Sequence, residues 1–339
     1  MSILTPLLNK VADGTMLSQE EAEQAFTYLM SGEAEEIEIA GFLMALRTRG
    51  ESVDEITAAT RVMREKSLKV QAPPGTIDTC GTGGSGQNTY NISTAVAFIV
   101  AACGVPVAKH GNRATSSKCG SADVLRALGV RPDVPPEKIE KCLNKAGIGF
   151  LFAPNHHPAM KYVGPVRAKL ATRSIFNLLG PLCNPASAKR QLMGVFSKAW
   201  LPHLAHAFSN LGSERAWVVH GADGLDELST SGVNDISELR DGKIRNFELA
   251  PEEIGLARAD INDFRGGGPD ENAKALESLL DGEKSPYRDV VLFNAAAALT
   301  VAGDSDDIRD SLHRATEALD SGEAKRRLEL LVSVSNEDS

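Results

Sequence analysis

The segment "QAPPGT", residues 71–76, divides the chain into two rhythms, and the second rhythm leaves few folds open. Beyond it, short apolar runs alternate with helical patterns, which is the mark of βα units and so of a largely parallel sheet covered by helices. Apolar runs predict strands at 77–80, 105–109, 148–152, 191–195 and 216–220. Helices are predicted at 93–103, 121–128, 136–146 and 200–211, with another near 269–281. From residue 285 onward the chain reads as helix-rich, and the alanines at 295–298 suit close helix packing. Before the break the pattern is helical. Ser18-Gln19-Glu20-Glu21 and Ser52-Val53-Asp54-Glu55 each fit a capping box, in which Ser and Glu satisfy each other's backbone N–H groups. Between them Ile37, Ile39, Phe42, Leu43 and Leu46 recur near helical spacing and the pattern stops at Gly50. The block 159–180 interrupts the βα alternation. The expected organisation is a helical domain over residues 1–72, with 159–185 packing on it, and an α/β domain over 73–339.

Composition narrows the function. A chain of 339 residues, 42 % hydrophobic and 24 % charged, can bury a sizeable core. Its net charge of −9 gives no general basic field for a nucleic acid, and 5 % aromatics offer few stacking platforms. Cys80, Cys103, Cys119, Cys142 and Cys183 are scattered, with no C-x-x-C, so zinc and a disulfide framework are both disfavoured. Reduced thiols, no secretory signal in "MSILTPLLNKVADG" and no apolar run long enough to span a bilayer point to a soluble cytoplasmic protein.

The stretch "DTCGTGGSGQNTYNIST", residues 78–94, contains a literal G-x-G-x-x-G. A dinucleotide fold needs an acid about 20 residues further on for the ribose. None occurs between residues 79 and 122, a run of 44, although Lys109, Arg113 and Lys118 are kept there. That pattern suits a highly charged anion instead. Glycines let backbone N–H groups approach phosphate oxygens, and Asn91, Ser93 and Thr94 stand where a helix should start. Taken alone, a glycine turn with ordinary helix caps explains the loop equally well. A second loop, "KHGNRATSSKCGSADVL", follows the apolar "VPVA". It offers the charge of Lys109, donors on Asn112 and Arg113, and hydroxyls on Ser116, Ser117 and Ser121 at a strand's C-terminal end, where ligands gather in open α/β sheets. A third, "HGADGLDELS", follows "AWVV" and sets Asp226 beside Glu227, hard oxygen ligands suited to Mg²⁺ bridging substrate phosphates. His203 and His206 have no third ligand nearby and read as helix surface.

Together these loops resemble the anthranilate phosphoribosyltransferase family, of the nucleoside phosphorylase/phosphoribosyltransferase class with a glycine-rich first loop. The resemblance rests on "GTGGSGQNTYNIST", "KHGNRATSSKCGSADVLRALG", "FLFAPNHHPAMKYVGPVRAKLATRSIFNLLGPLCNPA" and "VHGADGLDELS", in family order and spacing, and covers essentially the whole chain. It implies a small N-terminal helical domain joined to a larger α/β domain with a central, mostly parallel sheet, assembled as a homodimer. The implied reaction moves phosphoribosyl from 5-phosphoribosyl 1-pyrophosphate (PRPP) to the amino group of anthranilate in tryptophan biosynthesis, with Mg²⁺, two ions per site, as cofactor. By position, Gly81, Gly84, Ser85, Thr89, Asn91, Ile92, Ser93 and Thr94 would contact PRPP. Lys109, His110, Gly111, Asn112, Arg113, Ala114, Thr115, Ser116, Ser117 and Ser121 would complete that pocket. Ser93, Asp226 and Glu227 would hold the metal. Gly81, Asn112, His157 and Arg167 would meet anthranilate. Lys109, Arg167, Asp226 and Glu227 would carry the catalysis. No nucleic acid or membrane partner is implied.

One departure stands out. The family's loop commonly reads GTGGD, whereas this chain has Ser85, a hydroxyl without negative charge. Anthranilate's aryl amine is a poor nucleophile, so pyrophosphate departure should lead, and catalysis should consist of positioning and of stabilising charge on the leaving group. No general base stands out among His110, His156 and His157; His156 reads as structural.

Overall fold

A computed structural model describes residues 2–114 and 118–338. Its centre is a seven-stranded sheet in the order β3-β2-β1-β4-β5-β6-β7. The strands are β1 (Ile77–Gly81), β2 (Val107–Gly111), β3 (Ile148–Phe152), β4 (Arg190–Gly194), β5 (Arg215–His220), β6 (Asn234–Arg240) and β7 (Lys243–Leu249). The first five are parallel, and β6 and β7 add an antiparallel hairpin at one edge. The sheet is therefore mostly parallel, as the βα rhythm implies. β2 starts at Val107 rather than residue 105 and runs through Lys109 to Gly111, so the basic cluster begins inside the strand. The pattern of apolar runs does not show the hairpin.

Both faces of the sheet are covered, and alternation along the strands divides them. Leu192, Trp217 and Val219 point into one core, built with the helices Ile92–Ala102 and Pro286–Ala302. Met193, Ala216 and Val218 point into the other. The helix Ile92–Ala102 is buried nearly all round, as its unbroken apolar run requires. The second core joins the sheet to the N-terminal helices Leu4–Ala12, Gln19–Leu29, Glu36–Arg49 and Val53–Glu65. Phe26, Phe42 and Leu46 from those helices share it with Val163, Val166, Phe176 and Leu179 of the helices Met160–Leu170 and Phe176–Leu182. Both capping boxes form: Ser18 accepts from the Glu21 N–H and Ser52 from the Glu55 N–H. Glu55 is buried, where it pairs with Arg49 and accepts the Leu17 N–H at 3.0 Å. Among the described residues no helix is long and apolar enough to cross a membrane.

Candidate active site

The strand order reverses at β1, which has β2 on one side and β4 on the other. Ligand crevices open beyond the carboxyl ends of strands at such a reversal. The glycine loop leaves β1 at that point. Gly83, Gly84 and Gly86 have φ of 68°, 82° and 77°, a backbone region that side chains seldom adopt. Gly81 is needed for a different reason: a Cβ there would stand 2.5 Å from Asp226 Oδ2. At the end of β4, a Cβ on Gly194 would lie 1.6 Å from the Asp226 carbonyl oxygen, and one on Gly221 would lie 2.1 Å from that of Glu227. Three bare strand ends thus let residues 226–227 lie directly over the sheet. From there Asp226 Oδ2 accepts the Gly83 N–H at 2.7 Å, and Glu227 Oε1 accepts the Ser93 N–H at 2.8 Å. Ser93 is in the first turn of the helix Ile92–Ala102, whose N–H groups face the same space.

Burial, with the charge of Asp226 added, pushes the Glu227 carboxyl up to about 8, against the pull of the Ser93 amide and of Lys109. The nearby ammonium, that of Lys109, does not offset the burial of two adjacent acids, so their charge is under-compensated. A divalent cation supplies the balance, and Asp226, Glu227 and Ser93 Oγ are the hard oxygen donors that would hold Mg²⁺. Among the described residues no cluster of three His, Cys, Asp or Glu side chains could form an all-protein metal cage. This fits Mg²⁺, which typically uses one or two carboxylates and completes its shell with water and phosphate.

Lys109 reaches the same floor from β2. It is 2 % exposed, and its Nζ donates to Thr79 O at 2.6 Å and to Ser93 Oγ at 3.2 Å. Burial lowers its pKa, while Asp78, Cys80 and Glu227 pull it back up. After β2 the chain doubles back: Asn112 O accepts from the Ala122 N–H at 3.1 Å and from Ser121 Oγ at 3.2 Å. Asp123 Oδ2 fixes the turn by accepting the Ala114 and Gly120 N–H groups, both at 2.9 Å. The expected contacts at Thr115, Ser116 and Ser117 lie outside the described residues. The two loops, Asp226 and Glu227 enclose a polar cavity of about 260 Å³. Its lining includes Gly81, Gly84, Ser85, Thr89, Asn91, Ile92, Ser93 and Thr94 from the first loop and helix start. Lys109, His110, Gly111, Asn112, Arg113, Ala114 and Ser121 line it from the second.

A second cavity of about 660 Å³ opens against the first, sharing residues 80–82 and 110–113 as a common wall. Gly81, Asn112, His157 and Arg167 all line it, with Met63, Phe176 and Pro181 supplying apolar surface. The Arg167 guanidinium sits 5.1 Å over the Phe176 ring and has no acidic partner among the described residues. Burial holds its pKa below the usual value. A half-buried cation with no carboxylate partner among the described residues, at the edge of an apolar slot, suits a planar ligand that brings its own carboxylate. Deeper in, His110 Nδ1–H donates to Gly180 O at 3.1 Å, which leaves His110 Nε2 to accept from His157 Nε2–H at 3.2 Å. Burial first, then the neighbouring His157 and His156, push His110 down to about 3; burial first, then His156 and Lys69, push His157 down to about 4, so both rings are neutral at pH 7. His156 lines neither cavity and bonds Leu68 O through Nδ1 at 2.9 Å.

Two further contacts on the glycine loop come from distant segments. Arg173, on the connection between the helices Met160–Leu170 and Phe176–Leu182, donates to Gly84 O and stacks 4.0 Å over Phe196. At the loop's far end Gly266 N–H donates to Asn88 O at 2.7 Å, and Asn272 Nδ2 donates to Asn91 Oδ1 at 2.9 Å. A Cβ on Gly266 would stand 2.8 Å from Thr89 O, which explains the first glycine of the run 266–268. That run was the available signal for this contact; for Arg173 the sequence offers none.

Two family models match. One described as "Glycosyl transferase family, helical bundle domain" matches residues 5–67, and one described as "Glycosyl transferase family, a/b domain" matches residues 73–325. An anthranilate phosphoribosyltransferase from Bradyrhizobium diazoefficiens is 56 % identical over 336 residues, 99 % of this chain and 100 % of the relative. The crystal structure of anthranilate phosphoribosyltransferase from Thermus thermophilus superimposes with a TM-score of 0.93 at 45 % identity, covering 97 % of this chain and 99 % of that one. The Saccharomyces cerevisiae enzyme in complex with PRPP and Mg gives a TM-score of 0.90 at 28 % identity, covering 98 % and 97 %. Its complex with 4-fluoroanthranilate gives 0.87 at 28 % identity with the same coverage.

Proposed function

The chain belongs to the anthranilate phosphoribosyltransferase family, and on that premise we infer how its own residues divide the work. The enzyme transfers the phosphoribosyl group of PRPP to the amino group of anthranilate, giving N-(5-phosphoribosyl)anthranilate and pyrophosphate, in tryptophan biosynthesis. The observation that carries the assignment of roles is the shared wall. A polar cavity lined by backbone amides, Lys109 and two acids meets an apolar cavity holding Arg167, which has no acidic partner among the described residues, and residues 80–82 and 110–113 belong to both. The diphosphate belongs in the first, anthranilate in the second, and the ribosyl carbon between them.

In this reading the remaining amides of the loop 81–86 and the N–H group of Thr94 bind the diphosphate, as glycine loops and helix starts do, while the Gly83 and Ser93 N–H groups hold the two acids in place. Lys109 Nζ, pinned by Thr79 O and Ser93 Oγ, directs a buried positive charge at the same oxygens. Mg²⁺ is the cofactor; it belongs on Asp226, Glu227 and Ser93, and when bound it supplies Lewis-acid stabilisation of charge on the leaving group. Two ions per site accord with the pair of adjacent carboxylates. Arg167 pairs with the anthranilate carboxylate and aims the amine at the sugar. Gly81 and Asn112 form the partition, and His157 lines the approach. Neutral His110 and His157 hold each other and leave charge out of the aromatic slot. Catalysis then consists of bringing two reactants together and stabilising a departing diphosphate, with no general base required.

The helices within residues 1–72, together with 159–185, act as one domain that carries Arg167 and Arg173 against the α/β domain over 73–339. The active form is a cytoplasmic homodimer. The test is to mix protein, anthranilate, PRPP and Mg²⁺ and to follow anthranilate fluorescence and pyrophosphate together. The expected result is loss of fluorescence with one pyrophosphate released per anthranilate consumed, and none without Mg²⁺. Unchanged fluorescence, with a salt-sensitive shift of DNA in a gel, would replace this reading with a silent nucleic-acid-binding relative.

A further inference from the structure

The seam between β1 and β2 is unlike the others near it. β1 pairs with β4 along all five residues, and β2 pairs with β3 along all five. β1 and β2 are in register only at Ile77 and Val107. Beyond that pair, side chains bridge the gap. Asp78 Oδ1 accepts the His110 N–H at 3.1 Å, and Asp78 Oδ2 accepts from Asn184 Nδ2 at 2.7 Å. The same Asn184 Nδ2 donates to Ala108 O at 2.8 Å, and Asn184 Oδ1 accepts the Ala186 N–H at 2.8 Å. Lys109 Nζ crosses to Thr79 O at 2.6 Å. A carboxylate, an amide and an ammonium thus stand where ladder hydrogen bonds would be. Asp78 and Asn184 are both 0 % exposed and line neither cavity.

Burying a carboxylate is costly, and an apolar residue in a normally paired strand would hold two parallel strands together without that cost. Burial raises Asp78 to about 6, against the pull of Lys109 and of its hydrogen bonds. What the arrangement achieves is separation. The ladder between β1 and β2 stops after one pair, the glycine loop leaves one strand and the basic loop leaves the other, and both loops line the polar cavity. The first residues past the seam, Cys80, Gly81 and His110 to Arg113, are also the wall shared by both cavities.

We propose that Asp78, clamped by Asn184, is a positioning residue for phosphoribosyl transfer: it wedges β1 away from β2 and so sets the angle at which the diphosphate and aromatic-acid cavities meet. The inference rests on the reading of those cavities given above. Asp78 touches no substrate and acts through the backbone of residues 109–112. Its loss should misalign two bound reactants rather than prevent either from binding, which lowers kcat more than it raises KM.

The experiment is steady-state kinetics on Asp78→Asn and Asn184→Ser, normalised to folded protein, with a thermal melt and a calorimetric Kd for PRPP with Mg²⁺. In Asp78→Asn the new amide must face either the His110 N–H or the Asn184 amide, donor against donor. The expected result is a fall in kcat of tenfold or more with both KM values and the PRPP Kd within threefold. Asn184→Ser should move kcat the same way by a smaller factor. A plug that merely fills the seam would lower the melting temperature and leave kcat per folded molecule within threefold in both variants; that result overturns the proposal. Should Asp78→Asn not fold, Asn184→Ser decides alone, and an unchanged kcat overturns it equally. A wild type inert toward anthranilate would sink the underlying reading, and this proposal with it.

Discussion

Replacing Gly194 with alanine puts a methyl group where the backbone of Asp226 already lies. The added Cβ would stand 1.6 Å from the Asp226 carbonyl oxygen, 2.3 Å from its carbonyl carbon and 3.0 Å from the Glu227 nitrogen. Rigid backbone cannot be passed by rotating a side chain, so residues 226–227 must retreat by roughly 1.5 Å to reach tolerable contact. That shift stretches the 2.7 Å bond from the Gly83 N–H to Asp226 and the 2.8 Å bond from the Ser93 N–H to Glu227 past hydrogen-bonding range. Two bonds to carboxyl groups, each worth about 0.5–3 kcal/mol, are weakened or lost. Overpacking adds about 1–3 kcal/mol of destabilisation. A displacement of about 1 Å at a reacting centre commonly costs about 100-fold in rate. We therefore expect Gly194→Ala to lower kcat by about 100-fold and to raise the Mg²⁺ concentration at half-maximal rate. The control is Gly164→Ala, in the helix Met160–Leu170, where an added Cβ meets nothing within 4 Å. It should leave kcat unchanged and stabilise the fold by up to about 1 kcal/mol. The assay is anthranilate consumption against Mg²⁺ concentration, with a thermal melt for each variant. A Gly194→Ala enzyme within threefold of wild type would refute the claim that close packing at this glycine places the two acids.

Asp226→Asn combined with Glu227→Gln should lower kcat by about 100-fold or more at limiting Mg²⁺. Its melting temperature should hold or rise, because burial already disfavours the Glu227 charge; full activity would remove the metal assignment. Arg167→Ala should raise the anthranilate KM by roughly 10–100-fold through loss of a charge-assisted pair and leave the PRPP KM within twofold. An equal rise in both would reject its role. For stability against pH, His110 and His157 are held below their ordinary 6.5, at about 3 and about 4, so their contribution is whole above pH 6.5 and is lost as pH falls toward 4 and below. Asp78, raised from 3.8 to about 6, acts in the opposite direction: its contribution is whole below 3.8 and is lost as pH rises through 6. Glu227, raised from 4.5 to about 8, acts with Asp78 and offsets the histidines in wild type, so the histidine contribution shows as a difference: on the limb below pH 6.5, wild type should lose more melting temperature than His157→Gln, which keeps a donor but does not titrate. An unaltered limb in the variant would contradict the histidine account.

Much of this was legible because it lies in backbone rules. β1, β3, β4 and β5 are short apolar runs whose ends fall within one residue of the predicted ones. The polar cavity was legible because glycines, a helix start and a withheld set of acids all sit in one segment. The β6–β7 hairpin escaped because its strands read as polar: Lys243–Leu249 is an edge strand, exposed along most of its length. Its turn did carry a signal. Asp241-Gly242, both with positive φ, is the dipeptide that a two-residue hairpin favours. Arg173 on Gly84 could not have been read, since 89 residues separate them and an arginine on a helical connection is ordinary. The wedge of Asp78 and Asn184 escaped for a similar reason. Hydrophobic pattern marks a strand, but a ladder that parts after one pair is visible only in three dimensions.

The central claim is that one diphosphate sits between the loop 81–86 and the acids 226–227, with the aromatic acid just across the shared wall. A crystal structure with PRPP and Mg²⁺ bound tests it most directly. The account predicts pyrophosphate oxygens on the loop amides and Lys109, metal on Asp226 and Glu227, and the ribosyl carbon facing Arg167's cavity. Diphosphate bound instead at Arg167, or metal bound away from both acids, would contradict it.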